Sequence, residues 1–209
     1  FSTYLSENAK SVKTLAGMNP LELALTQPSA QNLAAANAIL DHFNKTLAAD
    51  VCYLMDLDGS TIASTNRDAP DSFVGQNFAF RPYFKDAISG YPGTYLALGT
   101  TSGKRGAYYS HPVFADNGYP PVGIVVIKAS IEYIESQLGT ELDEIVLVND
   151  PNGVIFISNR KDWLYHLLWK YNENNIPQIK QSLQFGTGPW KWTGLESKDG
   201  YILDRDGHV

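Results

Sequence analysis

The chain has 209 residues, 44% of them hydrophobic and 18% charged, with a net charge of -6. That length carries one large or two small folded units with cores of their own, and the composition is that of a folded protein rather than a disordered one. An acidic total excludes a general nucleic-acid binder, which needs a basic footprint. A single cysteine, Cys52, and four scattered histidines exclude a disulfide framework and any familiar metal-ligand spacing.

Cys52 lies in the apolar run Val51–Met55 and reads as a buried, inert thiol. There is no signal peptide and no apolar run long enough to cross a bilayer. The ends read as those of an excised piece, opening mid-pattern on FSTYLSENAK and closing on a strand and turn. Charge is uneven. Residues 61–130 carry Arg67, Arg81, Lys85, Lys104, Arg105 and Lys128 against Asp68, Asp71, Asp86 and Asp116, a local excess of positive charge in an acidic chain. Such a region can focus an anionic ligand, although scattered surface cations give the same count.

In chain order, Tyr4, Leu5, Ala9, Val12, Leu15 and Ala16 fall at helical spacing, and Gly17, Pro20 and Pro28 interrupt the pattern. Ser29 can cap a second helix carrying Leu33, Ala36, Leu40, Phe43 and Leu47, a seam that suits the core. The thinner stripe of the first helix suits a homodimer contact. From Asp50 the period changes: VCYLM, Asp58-Gly59 and STIAS read as two strands and a short turn. Pro82 suits the first position of a helix ending at Gly90. Strands follow at Thr94–Leu98, Ala107–Phe114 and Val122–Lys128, the first two joined by a glycine-bearing turn. A helical link spans Ala129–Leu138. Then EIVLVND, Pro151-Asn152-Gly153 and VIFIS repeat the earlier strand–turn–strand about 95 residues on, in a weak internal repeat. Asp162–Tyr171 reads as helical and Gly200–Leu203 as a strand, while Asn172–Trp192 fits no pattern. The layout predicts an α+β fold of PAS-like type. A helical segment at 1–49 precedes a module at 50–138 and a smaller one at 139–209 that ends before its last strands.

SFVGQNFAFRPYFKDAISG (Ser72–Gly90), YLALGTTSGKRGAYYSHPV (Tyr95–Val113), VVIKASI (Val125–Ile131) and VLVNDPNGVIFISNRKDW (Val146–Trp163) together resemble the double-Cache, tandem PAS-like sensor domains of bacterial membrane receptors. Within that group the likeness is to C4-dicarboxylate sensor histidine kinases of the DctB type, and it covers most of residues 50–165. The resemblance implies that the first module, membrane-distal in the family, binds a small carboxylate. By motif the pocket would hold Arg81, Tyr83, Thr101, Ser102 and Lys128. The roles have physical reasons: Arg81 offers a planar fork for a carboxylate, Tyr83 a hydroxyl on a rigid ring, Thr101 and Ser102 hydroxyls at a strand end, Lys128 a second positive charge. Strand alternation turns only one of Tyr108 and Tyr109 inward, and Tyr109 is taken as that one. Lys104 and Arg105 are placed on the exposed rim of the turn. Other readings stay open: Arg81 before Pro82 suits a solvent-facing helix start, the tyrosines suit sheet packing, and Thr101 and Ser102 suit an ordinary turn.

Two separated cations suit a ligand with two carboxylates, such as succinate, fumarate or malate. The implied protein is the periplasmic sensing part of an inner-membrane receptor, a two-component histidine kinase, with transmembrane helices outside this chain. The alternative within the same fold is the input of a chemoreceptor or diguanylate cyclase that binds a monocarboxylate or amino acid. No GxSxG, HExxH, P-loop or GxGxxG motif is present, and the Asp56/Asp58 and Asp204/Asp206 pairs flank turns, where acids are common. No catalysis by this region, no cofactor and no nucleic-acid partner are expected. A purely structural dimerisation module is the reading left if no small molecule binds.

Overall fold

The computed structural model describes residues 2–116, 118–137, 145–170, 176–198 and 201–203. Leu138, Tyr171, Gly200 and the Asp204/Asp206 pair, all named above, lie outside them. The chain divides into two compact units, Phe1–Ser130 and Ile131–Val209.

The first unit opens with three helices, α1 (Ser2–Ala16), α2 (Asn19–Thr26) and α3 (Ala30–Leu47). The sequence pattern missed α2 because Gly17 and Pro20 read as breakers. Pro20 in fact sits in the first turn of the helix, where its missing N–H costs nothing. Ser29 caps α3, its hydroxyl accepting from the Asn32 N–H at 3.1 Å. Five strands form one antiparallel sheet: β1 (Val51–Met55), β2 (Thr61–Ser64), β3 (Gly93–Leu98), β4 (Arg105–Ala115) and β5 (Gly118–Ser130), in the order β2-β1-β5-β4-β3. The short helix α4 (Pro82–Ile88) lies between β2 and β3 in the chain. This is a PAS-like α+β fold, as expected.

Both faces of the sheet are covered, so its central strands are buried throughout rather than alternately. Alternation sorts their side chains. Tyr53, Met55, Ala97, Tyr108, Ile124 and Val126 join Tyr83, Phe84 and Ala87 of α4 and the loop residues Phe73 and Phe78 in one aromatic-rich cluster. The opposite face meets the N-terminal helices, where Val12, Leu15, Leu21, Ala24, Ala36 and Leu40 are buried. Cys52, on that second face, is fully buried, and burial pushes its thiol up to about 12, so it is inert.

The second unit contains α5 (Ile131–Gln137), β6 (Leu147–Asn149), β7 (Ile155–Ser158), a 3-10 turn (Lys161–Trp163), α6 (Ile176–Gln181), β8 (Glu196–Lys198) and β9 (Tyr201–Leu203). Its strands pair as two hairpins, β6-β7 and β8-β9. The expected helix at Asp162–Tyr171 is replaced by the single 3-10 turn. Leu167 then bridges Val154 and Trp192, extended pairing that a helix could not make.

The internal repeat is real at the level of single hydrogen bonds. In the β1–β2 turn the Asp56 carboxylate accepts from the N–H groups of Asp58 and Ser60 at 3.0 and 2.9 Å. In the β6–β7 turn Asp150 accepts from Asn152 and Val154 at 2.9 and 2.8 Å. Gly59 and Gly153 supply the left-handed residue of each turn, with φ of 84° and 79°. Both first strands carry a register shift at the same point, after Leu54 and Val148.

Candidate functional site

The site lies on the α4 face of the first unit's sheet. Arg81 is placed by the helix start: it precedes Pro82 in extended conformation, and its carbonyl accepts from the N–H groups of Phe84 and Lys85. Its side chain is 2% exposed, so the solvent-facing alternative is excluded. A guanidinium N–H donates to the Leu98 carbonyl at 2.9 Å, and the group stacks on the Phe80 ring at 4.9 Å.

Lys128 is 1% exposed and comes from the end of β5, beside Tyr108 on β4 and Val51 on β1. Its ammonium donates to the Asp50 carboxylate at 3.1 Å and to the Ser102 hydroxyl at 3.4 Å. Its stem crosses β4 at Gly106, where a Cβ would stand 2.6 Å from the lysine Cε. A side chain there would force the lysine stem to shift.

The two cations thus meet the connection from β3 to β4 at two points, Arg81 at Leu98 and Lys128 at Ser102. Between them Gly99, Thr100 and Thr101 line a cavity with Arg81, Tyr53, Phe73, Phe78, Tyr83 and Tyr108. Its volume is about 10 Å³, close to the least that admits one water. The tyrosines form a rigid wall. Tyr83 and Tyr108 stack at 5.2 Å, and the Tyr53 hydroxyl bonds that of Tyr83 at 2.8 Å. The Ser110 hydroxyl donates to the Tyr83 carbonyl at 2.7 Å and ties α4 to β4. Burial pushes the Tyr83 phenol up to about 12 and raises those of Tyr53 and Tyr108 as well. All three are neutral at physiological pH and keep their O–H groups as donors.

Of the expected site residues, Arg81, Tyr83 and Thr101 line the cavity, and Ser102 and Lys128 meet beside it. Tyr109 is corrected. It pairs with Ile127 while Tyr108 pairs with Lys128, so alternation turns Tyr108 to the cavity and Tyr109 to the face of the N-terminal helices. Arg105 is corrected too: it is 7% exposed, on Tyr109's side of β4, and not on a solvated rim; Lys104 is exposed as expected. Sequence reasoning missed Tyr53, Phe73, Phe78, Thr100 and Asp50. Asp50 was findable in principle, because it stands next to Val51 at the start of the strand that pairs with Lys128.

No family model matches the chain. The C4-dicarboxylate transport sensor protein DctB of Pseudomonas aeruginosa is 39% identical over 153 residues, 73% of this chain and 24% of that protein. The protein of the same description from Rhizobium meliloti is 31% identical over 166 residues, 79% of this chain and 26% of its own length. The solved sensor domain of the Vibrio cholerae histidine kinase DctB superposes with a TM-score of 0.87 at 29% identity, covering 99% of this chain and 81% of that one. The chain is a periplasmic sensor domain of the DctB type. It spans about a quarter of the curated relatives' length. No described helix of this sensor domain is long and apolar enough to cross a membrane.

Proposed function

We propose that this sensor domain binds a small carboxylate, and specifically a C4-dicarboxylate such as succinate, between Arg81 and Lys128. The observation that carries the reading is the burial of two cations, 2% and 1% exposed, that meet the β3–β4 connection at Leu98 and Ser102 beside a hydroxyl-lined cavity. Two buried cations beside one cavity give it a positive lining, which favours an anionic occupant over a neutral or cationic one. Arg81 would take one carboxylate through its planar fork and Lys128 the other as a point charge. Tyr83, Tyr108, Thr101 and Ser102 would donate to the remaining oxygens. The names of the relatives point the same way.

A four-carbon diacid does not fit about 10 Å³, so binding has to move a wall. The turn Gly99–Lys104 is the wall able to move, since Thr101 and Ser102 are half-buried and Gly103 and Lys104 exposed, whereas the tyrosine wall is packed. A ligand that prefers one position of this turn shifts the population toward it, and that difference in affinity is the whole of the signal available. In the full protein this would set the output of a membrane-anchored histidine kinase, with α1 as a homodimer contact. Calorimetric titration with succinate, malate, acetate, lactate and amino acids tests the reading. Tight binding of the diacids alone is the expected result; binding of amino acids or monocarboxylates in their place would reject it.

A further inference from the structure

The Lys128 ammonium already has an anion. Asp50 holds it at 3.1 Å, and the lysine is otherwise engaged only by Ser102 among the described residues. Asp50 itself differs from its partner in one respect: its side chain is 25% exposed where that of Lys128 is 1%. The Asp50 backbone is fixed, because its N–H donates to the Lys128 carbonyl at 2.9 Å. The carboxylate alone can turn to water while the strand stays in place.

A ligand carboxylate that reached the ammonium would come within a few ångströms of this internal carboxylate. At such a distance like charges in a partly dry site repel strongly. The geometry points to Asp50 as the specificity-determining residue of the pocket, an internal competitor that a ligand's second carboxylate displaces from Lys128. Ligand entry is an exchange of one carboxylate for another on the same ammonium, with Asp50 released toward solvent. A monocarboxylate held by Arg81 alone leaves the Asp50–Lys128 pair intact. Asp50 therefore sets how strongly diacids are preferred over monoacids, and keeps a weak diacid from filling the site. The inference rests on the reading above in taking Arg81 and Lys128 as the two anion contacts.

The test is calorimetric titration of wild type, Asp50→Asn and Asp50→Ser with succinate and butyrate, with thermal unfolding to confirm that each variant is folded. Removing the competitor is expected to raise succinate affinity about tenfold and to leave butyrate within about twofold. A folded variant in which succinate affinity is unchanged or falls overturns the proposal. If both variants fail to fold, the wild type decides through the carbon-13 resonance of the Asp50 carboxyl group. Saturating succinate shifts it and saturating butyrate does not; equal responses overturn the proposal. The two readings fail separately. Wild type that binds succinate without gain in the variants keeps the diacid reading and rejects the role of Asp50. Wild type blind to succinate, with variants that bind it, rejects succinate as the ligand and upholds the competitor. No binding in any of the three overturns both.

Discussion

Lys128 ends a strand of apolar residues, and its buried ammonium is held by a carboxylate that can reach water. Replacing it by Met removes the cation and leaves Asp50 free to hydrate, so Lys128→Met is expected to cost no more than about 1 kcal/mol of folding. Diacid binding should fall by roughly 2–4 kcal/mol, about 30- to 1000-fold, as read by calorimetry beside urea unfolding. Gly106→Ala is a second residue-scale test. A methyl 2.6 Å from the lysine Cε forces the stem aside, so binding and stability should fall together, and binding alone should recover in no background that keeps Lys128. Tyr83 gives a pH signature. Its phenol holds its proton to about 12 in the folded state against 10.0 ordinarily, so between these values the folded state binds more protons than the unfolded chain. Stability is therefore constant below pH 10 on this account and falls as pH rises from 10.0 toward about 12. Phenolate absorbance from the buried tyrosines should appear with unfolding and not before it. At this scale the structure buries the two cations that the sequence singled out, Arg81 beside Pro82 and Lys128 ending VGIVVIK. The sequence reading took Tyr109 for Tyr108 because the choice depends on register, and register is fixed by pairing with β5 rather than by β4 itself.

The strand–turn–strand units β1–β2 and β6–β7 are the same element used twice. In each, one aspartate satisfies two backbone N–H groups, so Asp56→Ala and Asp150→Ala should each cost roughly 1–3 kcal/mol in chemical denaturation, with the larger loss at the more buried Asp150. These hairpins were legible because turn chemistry is local. The helix α2 was not, since a proline reads alike as a breaker and as a first-turn residue until its neighbours are known. Nor was the 3-10 turn Lys161–Trp163, where pairing of Leu167 with Val154 and Trp192 overrides the local helical pattern. For the Gly99–Lys104 turn, hydrogen exchange is the direct probe. Its amides should gain protection with succinate while those of the packed β5 centre stay unchanged; equal change in both would place the response elsewhere.

The first unit combines a PAS-like sheet, a helical layer on one face and an aromatic pocket layer on the other, and a likeness to a solved DctB sensor domain runs over 99% of the chain. The order of strands and of α4 in the first unit followed from the sequence, because period changes and turn residues mark them. The distribution of the helices did not follow: the N-terminal three cover the face away from the cavity, and only α4 roofs it. The central claim is that two buried cations at the β3–β4 connection make this a receptor for diacids. Calorimetric titration of the domain with succinate and with butyrate tests it most directly. Succinate is expected to bind at least tenfold more tightly than butyrate, and Lys128→Met to erase the difference. Equal affinities in the wild-type domain, or a difference that survives loss of Lys128, would contradict it.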